Sequence, residues 1–250
     1  MKIYVISLPD AKKRRENASR QLTDAGLSFE FFDARRGNEV IAEGYFERCD
    51  EDEWLLNTGR EMTPNEVGCF ASHRSMWQKC VELGEPLMIM EDDFKLLPGF
   101  AGAVEQVAEN ISECGFIRLQ SETRARKQRI GTRGDYTLWR YTKVPHSCMC
   151  NSVTPDAASR LVEQTSTIYE PVDVFIKKFW DHGQPIYGLT PYTVTESDLS
   201  QATFIPHRDK ARKSFRISSA RFLRKCGWEV KRIRAARRMA NPGWARNTNA

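Results

Sequence analysis

The sequence predicts an α/β fold, a sheet flanked by helices, followed by a basic helical C-terminal tail. Three observations carry this. The chain opens strand, helix, strand. A later apolar strand runs into three adjacent carboxylates. Positive charge then gathers beyond residue 206.

Residues 2–8 read as a buried strand, short, rich in Ile, Val and Tyr, and stopped by Pro9-Asp10. Residues 11–25 read as a helix, with Gly26 where a terminating glycine belongs. Residues 28–33 form a second strand, which completes a βαβ unit and predicts parallel pairing. The first strand-to-helix turn lacks the G-x-G-x-x-G of a dinucleotide site. From 38 to 60 the chain is polar and acidic without a clear period. Thr63-Pro64-Asn65-Glu66 then marks a helix start: Thr63 as N-cap, Pro64 at the first helical position, Glu66 completing a capping box. That helix should reach Leu83 and end at Gly84. Residues 86–90 are a buried strand and 116–120 a further one. Residues 124–133 read as a basic loop and 136–144 as a strand. A helix over 155–165 is followed by Pro171-Val172-Asp173, a second helix to about His182, and a last strand over 186–194.

With 250 residues, 40% hydrophobic and 28% charged, the chain has the composition of a globular protein rather than a disordered one. Its length suits one sizeable α/β domain with a small appendage. No run approaches the roughly 18 apolar residues of a membrane span. The apolar start is short and is followed by charges from Asp10 to Arg15, so the expectation is a cytoplasmic protein. The seven cysteines form no paired framework, and Cys148-x-Cys150 is a weak zinc signal, which favours buried reduced thiols. Residues 207–238 carry thirteen Lys or Arg against Asp209 and Glu229, while the whole chain is only +5; residues 1–206 are therefore acidic. The break predicts separate jobs for a body over 1–206 and a basic tail over 207–250.

Glu91-Asp92-Asp93 carries the most chemistry. At the carboxyl end of a central strand it would sit where open α/β sheets bind ligands. Three adjacent acids repel one another unless a cation compensates, and Mg²⁺ or Mn²⁺ bridging a diphosphate does so. Alternate residues of an extended segment point the same way, which pairs Glu91 with Asp93 as metal ligands and sends Asp92 elsewhere. On the helix from Thr63, Gly68, Ser72 and Ser75 share a small-residue face open to close approach, and Glu66 and His73 lie two turns apart on a common face.

Taken together these segments resemble glycosyltransferase family 25, which includes bacterial lipooligosaccharide galactosyltransferases. The opening Ile3-Tyr4-Val5-Ile6-Ser7-Leu8 with Arg14-Arg15 is similar to the family's start. Glu66-Val67-Gly68-Cys69-Phe70-Ala71-Ser72-His73 resembles its E-(I/V)-G-C-x-x-S-H motif, Met88 to Asp93 its I-x-E-D-D motif, and Pro171-Val172-Asp173 its P-(I/V)-D element. The likeness covers roughly residues 1 to 200. It implies a GT-A-like, Rossmann-like mixed sheet, a UDP-sugar donor (usually UDP-galactose), Mn²⁺ or Mg²⁺ at the acidic triplet, and transfer with inversion to a growing oligosaccharide. Residues 146–152 and 195–201 depart from the family pattern.

An inverting transfer needs a carboxylate to take the acceptor's proton and a cation beside the leaving diphosphate. Glu91 and Asp93 are the metal candidates. Asp173 is the candidate base, with Glu66 and His73 as further catalytic candidates. Ser7, Leu8, Arg14, Asp33 and Asp92 are the candidate donor contacts. The expected acceptor is a lipooligosaccharide or lipopolysaccharide glycolipid. Rival readings are another metal-dependent nucleotide-using enzyme, or an inactive sugar-binding or membrane-adaptor protein. Nothing in the chain resembles a nucleic-acid motif. In the tail, Phe215, Phe222, Cys226, Val230 and Ile233 fall on one helical face among Lys and Arg. Such a helix either lies on the anionic inner face of the cell membrane or packs its stripe on the acidic body.

Overall fold

The structure is a computed structural model, and it describes residues 1–198 and 215–239. The expected opening is present. β1 (Lys2–Ser7), α1 (Lys12–Asp24) and β2 (Glu30–Asp33) form a βαβ unit in which β1 and β2 are parallel. β4 (Leu87–Glu91) pairs parallel with β1 on its other side, placing Ile6 opposite Glu91. Beyond β4 the sheet turns mixed. Its eight strands run β2-β1-β4-β9-β6-β11-β8-β7, with β6 (Phe116–Arg118), β7 (Arg126–Arg133), β8 (Tyr136–Lys143), β9 (Cys150–Val153) and β11 (Tyr187–Thr190). Antiparallel β9 separates β4 from β6. Two small pairs complete the strands: β3 (Arg48–Cys49) with β10 (Thr167–Ile168), and β5 (Phe94–Leu96) with β12 (Val194–Glu196).

Both faces of the sheet are covered, so β1 and β4 are apolar over most of their length. Tyr4, Ile6, Leu87 and Ile89 point into one core with α4 (Pro64–Leu83), α6 (Pro155–Glu163) and α7 (Val172–Lys177). Their neighbours Ile3, Val5, Met88 and Met90 point into the other, against α1 and α5 (Phe100–Cys114). The helix α4 starts and stops as its sequence dictates. Thr63 Oγ1 accepts from the Glu66 N–H at 3.4 Å, and Gly84 closes the helix in the left-handed conformation at φ 65°.

α5 and β9 answer to no element expected from the sequence, and four other segments differ from that expectation. The polar stretch after residue 37 contains two short helices, α2 (Gly37–Ala42) and α3 (Glu51–Thr58), and strand β3. The basic segment expected as a loop is strand β7, at the sheet edge and hydrogen-bonded only to β8. The helix after Pro171 is split into α7 and α8 (Phe179–His182). The last strand divides around Pro191 into β11 and β12.

The small-residue face of α4 is used as the sequence suggests. α2 crosses it so closely that a Cβ on Gly68 would lie 2.5 Å from the Arg35 carbonyl oxygen, and one on Gly37 would overlap the Pro64 carbonyl. Ser72 Oγ accepts the Arg35 N–H at 2.9 Å across this contact.

The tail is helical. α9 (Phe215–Arg238) docks through its basic side: Arg224 on Glu53 at 2.5 Å, Arg221 on the Thr58 carbonyl at 2.5 Å, Arg232 on the Thr142 carbonyl at 2.6 Å. The Trp228 ring covers Lys178 at 3.8 Å. The predicted stripe does not pack back. Phe222, Cys226, Val230 and Ile233 are exposed, as is Leu223. The side chain of Phe215 and the rest of the tail, 207–214 and 240–250, lie outside the described residues. Among the described residues no helix is long and apolar enough to cross a membrane.

Two stability predictions follow from this packing. Gly68→Ala forces α2 off α4 and should cost about 1–3 kcal/mol despite the better helix former. Gly227→Ala, with open space around its Cβ, should instead stabilise α9 by up to about 1 kcal/mol. Thermal melts of the two variants should move in opposite directions; equal shifts would show that the α2–α4 contact is not tight. The second concerns His182, buried at the end of α8. Its Nε2–H donates to the Ile176 carbonyl at 3.1 Å, and its Nδ1 accepts from the Gln184 N–H at 3.2 Å. Both nitrogens are satisfied only in the neutral ring, and burial lowers its pKa from 6.5 to about 4. Between these values the unfolded chain binds a proton that the folded one refuses. Stability is therefore lost as pH falls from 6.5 toward 4, by roughly 2 kcal/mol at about pH 5 and about 3 kcal/mol in all. Denaturant titrations of wild type and His182→Gln at neutral and acid pH should show the steeper acid loss in wild type; parallel losses would exclude His182 as the cause.

Candidate functional site

The carboxyl ends of β2, β1 and β4 open into a pocket of about 420 Å³, the place where parallel strands leave room for ligands. Ser7 and Leu8 come from the end of β1, Arg14 from α1, and Arg35 to Glu39 from the start of α2. Pro64, Asn65, Cys69, Ser72 and His73 come from α4, and Glu91, Asp92 and Asp93 close the floor. The starts of α1, α2 and α4 contribute residues to its lining, among them three arginines, Arg14, Arg35 and Arg36.

The three acids have separate surroundings. Asp92 is buried and turned back: one oxygen accepts from Ser7 Oγ at 2.6 Å, the other from Arg14 at 3.1 Å. Glu91 accepts from His73 Nε2 at 3.1 Å and from the Cys69 thiol at 3.8 Å, both on Oε1. Asp93 has a buried oxygen, Oδ1, without a hydrogen-bond partner. Burial, and then repulsion from Glu91, push its carboxyl up to about 7. Burial and Glu91 also push the Cys69 thiol well above its ordinary value, so it stands as a thiol. Arg35 pairs with Glu43 at 2.6 Å and Arg36 with Asp10 at 2.7 Å, which holds both at the rim.

The match to known proteins falls on these segments. Residues 1–176 match the family model described as Glycosyltransferase family 25 (LPS biosynthesis protein). The chain belongs to glycosyltransferase family 25. Among its relatives is the "Lipooligosaccharide biosynthesis protein lic2B" of Haemophilus influenzae, 36% identical over 94 residues, 37% of this chain and 34% of that protein. A "Glycosyltransferase 25 family member" of Aedes aegypti is 30% identical over 127 residues, 45% of this chain and 19% of that protein. The human "Inactive glycosyltransferase 25 family member 3" is 28% identical over 129 residues, 44% and 19% of the two chains. The matched segments thus span about a fifth to a third of these relatives' length. The mixed, helix-flanked sheet fits the GT-A-like architecture that the resemblance implies.

In this family 25 chain the structure gathers Ser7, Leu8, Arg14, His73, Glu91, Asp92 and Asp93 around one pocket. It places three of the sequence candidates elsewhere. Glu66 does not line the pocket with His73. It is buried in an ion pair with Arg60, 2.6 Å from Nη1 to Oε2, and also accepts from the Thr63 hydroxyl at 2.9 Å. Seven residues of helix share a face only approximately, and the long Arg60 side chain claims Glu66 at the helix start. Asp33 is exposed at the end of β2, paired with Arg15 and outside the pocket lining. Asp173 also lies outside that lining, although its charge acts on the Cys69 thiol together with Glu91 and Asp93. It does not cap α7.

Asp173 instead meets a residue that the sequence reading did not single out. His146 Nδ1 lies 2.8 Å from Asp173 Oδ2, and Lys177 Nζ lies 3.2 Å from His146 Nε2. Burial pushes Asp173 up and is the largest single influence, but the His146 hydrogen bond and charge, the Ser147 backbone and the Lys177 charge together hold the carboxyl below its ordinary value. The His146 loop is itself fixed by Arg118, buried in the sheet, which donates to the carbonyls of Pro145, His146 and Ser147 at 2.7–2.8 Å. The signal was present: His146 opens the segment that departs from the family pattern. Its partner, 27 residues away, was not readable.

Proposed function

We propose that the protein transfers a sugar, galactose from UDP-galactose as the first candidate, with inversion onto a lipooligosaccharide or lipopolysaccharide acceptor. The observation that carries this reading is the Asp93 oxygen without a partner, beside Glu91, on the floor of a pocket rimmed by Arg14, Arg35 and Arg36. A divalent cation fits there. It would satisfy the orphaned oxygen and relieve the repulsion that raises Asp93, and both ligands are the hard oxygen donors that Mn²⁺ and Mg²⁺ prefer. Glu91 and Asp93 would hold it, and when bound it supplies positive charge to the leaving diphosphate.

The chain's own groups do the rest. The helix N-termini and the rim arginines bind the diphosphate. Asp92, locked by Ser7 and Arg14, holds the ends of β1 and α1 against the floor. The acceptor hydroxyl oxygen bonds to the anomeric carbon as the bond to the diphosphate oxygen breaks. The candidate to take the hydroxyl proton is still Asp173, which lies outside the pocket lining and is hydrogen-bonded to His146. The inactive human relative gives weight to a second reading, a fold that binds sugar nucleotides without transfer. One screen separates the two: purified protein, Mn²⁺ and each nucleotide sugar in turn, with released nucleotide as readout. Transfer should vanish in EDTA, and Asp93→Asn should cost about a hundredfold or more in turnover while the protein stays folded. Release of nucleotide from no donor would overturn transfer; full turnover in EDTA, or in Asp93→Asn, would overturn the metal.

The acceptor's lipid suggests where the enzyme works. α9 presents Phe222, Leu223, Val230 and Ile233 outward, flanked by the exposed bases Lys225, Arg234 and Arg237. This is the surface an interfacial helix offers an anionic bilayer, each base adding about 1 kcal/mol that salt screens. Wild type should sediment with phosphatidylglycerol vesicles at low salt and leave them at high salt. Phe222→Glu combined with Leu223→Glu, at exposed positions, should abolish sedimentation and leave transfer to a soluble acceptor intact. Unchanged sedimentation of that variant would remove α9 as the anchor.

A further inference from the structure

Cys69 and His73 lie four residues apart on α4, so their side chains leave one face of the helix a single turn apart. Both converge on one atom. Sγ of Cys69 is 3.8 Å and Nε2 of His73 is 3.1 Å from Oε1 of Glu91, and the three ligand atoms all lie within 4.8 Å of one another. A tetrahedral zinc ion, with bonds of about 2.3 Å to sulfur and about 2.0 Å to nitrogen and oxygen, sets S and O about 3.5 Å apart and N and O about 3.3 Å apart. The two separations from Oε1 need change by only a few tenths of an ångström, and the thiol and imidazole, within 4.8 Å of each other, close to about 3.5 Å around the ion. All three residues line the pocket, so a fourth position would face the open space. Three protein ligands with one open position is the arrangement of exchangeable zinc, whereas closed structural sites use four.

The geometry points to Cys69, His73 and Glu91 as a three-ligand site for a thiophilic divalent cation of the Zn²⁺ class, its fourth position open to the pocket. The site differs in kind from the oxygen pair Glu91 and Asp93, because thiolate and imidazole select softer ions than Mn²⁺ or Mg²⁺. The exchange balances. In the metal-free protein the thiol and the imidazole each donate a hydrogen to Glu91. On binding, the thiol releases its proton to solvent and the imidazole carries its hydrogen on Nδ1. The cation then bonds Sγ, Nε2 and Oε1, its two charges matched by thiolate and carboxylate. Glu91 belongs to both ligand sets, so a soft cation takes it from the oxygen pair; this last consequence alone rests on the metal reading above.

Co²⁺ is the probe, since cobalt bound to thiolate absorbs in the near ultraviolet by charge transfer and a tetrahedral site adds strong visible bands. One equivalent added to the full-length protein, without donor or acceptor, should produce both, and Zn²⁺ should bleach them. Cys69→Ser should lose the charge-transfer band while circular dichroism shows the native fold. Glu91→Gln should weaken cobalt binding about tenfold or more. Asp93→Asn and Cys226→Ser should keep the band. No thiolate band in wild type, or an equal band in Cys69→Ser, would overturn the site. Because the spectra are read without transfer, an enzyme inactive with every donor leaves this test intact.

Discussion

Like charges set next to one another at the end of a buried strand are the constraint on which the pocket depends. Glu91, Asp92 and Asp93 arrive together because β4 delivers them together, and none can be left bare in a partly buried site at once. Each meets a different environment. Asp92 is neutralised by Arg14 and locked by Ser7, which joins the ends of β4, β1 and α1 into one unit. Glu91 takes hydrogens from His73 and Cys69 and so fastens α4 to the strand end. Asp93 keeps one oxygen without a hydrogen-bond partner among the described residues. The same repulsion that must be managed for folding thus leaves one carboxylate of the three incompletely satisfied.

The depth of the pocket follows from a second constraint, the contact of α2 with α4. Helices usually pack 8–10 Å apart because side chains separate them. Here Gly68 and Gly37 remove those side chains, and the backbone at Arg35 comes against the helix itself. The close approach puts the N-terminus of α2 beside that of α4, and with it Arg35 and Arg36 at the rim. The glycine in the family's motif is therefore a matter of distance, and the cysteine and histidine that follow it are matters of chemistry.

What was legible in the sequence follows the range of the forces involved. The βαβ opening, the cap and stop of α4, and the strand leading into the acids were readable because each is written in adjacent residues. The helix α5 was equally local, with Phe100, Ala103, Val104, Val107 and Ile111 at helical spacing, yet its Ala- and Gly-rich start masked the period. The strand β7 was misread for a physical reason. An edge strand is protected by charge, and Arg126, Lys127, Arg129 and Arg133 give it the composition of a loop. Asp173 was found by motif, but its partner His146 and the brace Arg118 come from other strands and loops. Glu66 and His73 show the limit of spacing arguments. The helix does bring them to related positions, and Arg60, a residue before the helix, decides that only one faces the site.

The tail follows the opposite logic from a core helix. A helix packed for stability alone would bury Phe222 and Leu223, each worth about 1.5–3 kcal/mol when removed from water. α9 instead turns Arg221, Arg224 and Arg232 toward the acidic body and leaves Phe222, Leu223, Val230 and Ile233 outside. Long guanidinium side chains make this arrangement workable, because their stems cover apolar surface while their heads reach carbonyls and carboxylates. Glu53, Asn57 and the Thr58 carbonyl receive Arg224 and Arg221 on α3, a helix whose three leading acids, Glu51, Asp52 and Glu53, also suit its own N-terminus. The charge break between body and tail is thus spent on docking the helix in a fixed orientation, and that orientation determines which of its faces is left for a partner surface.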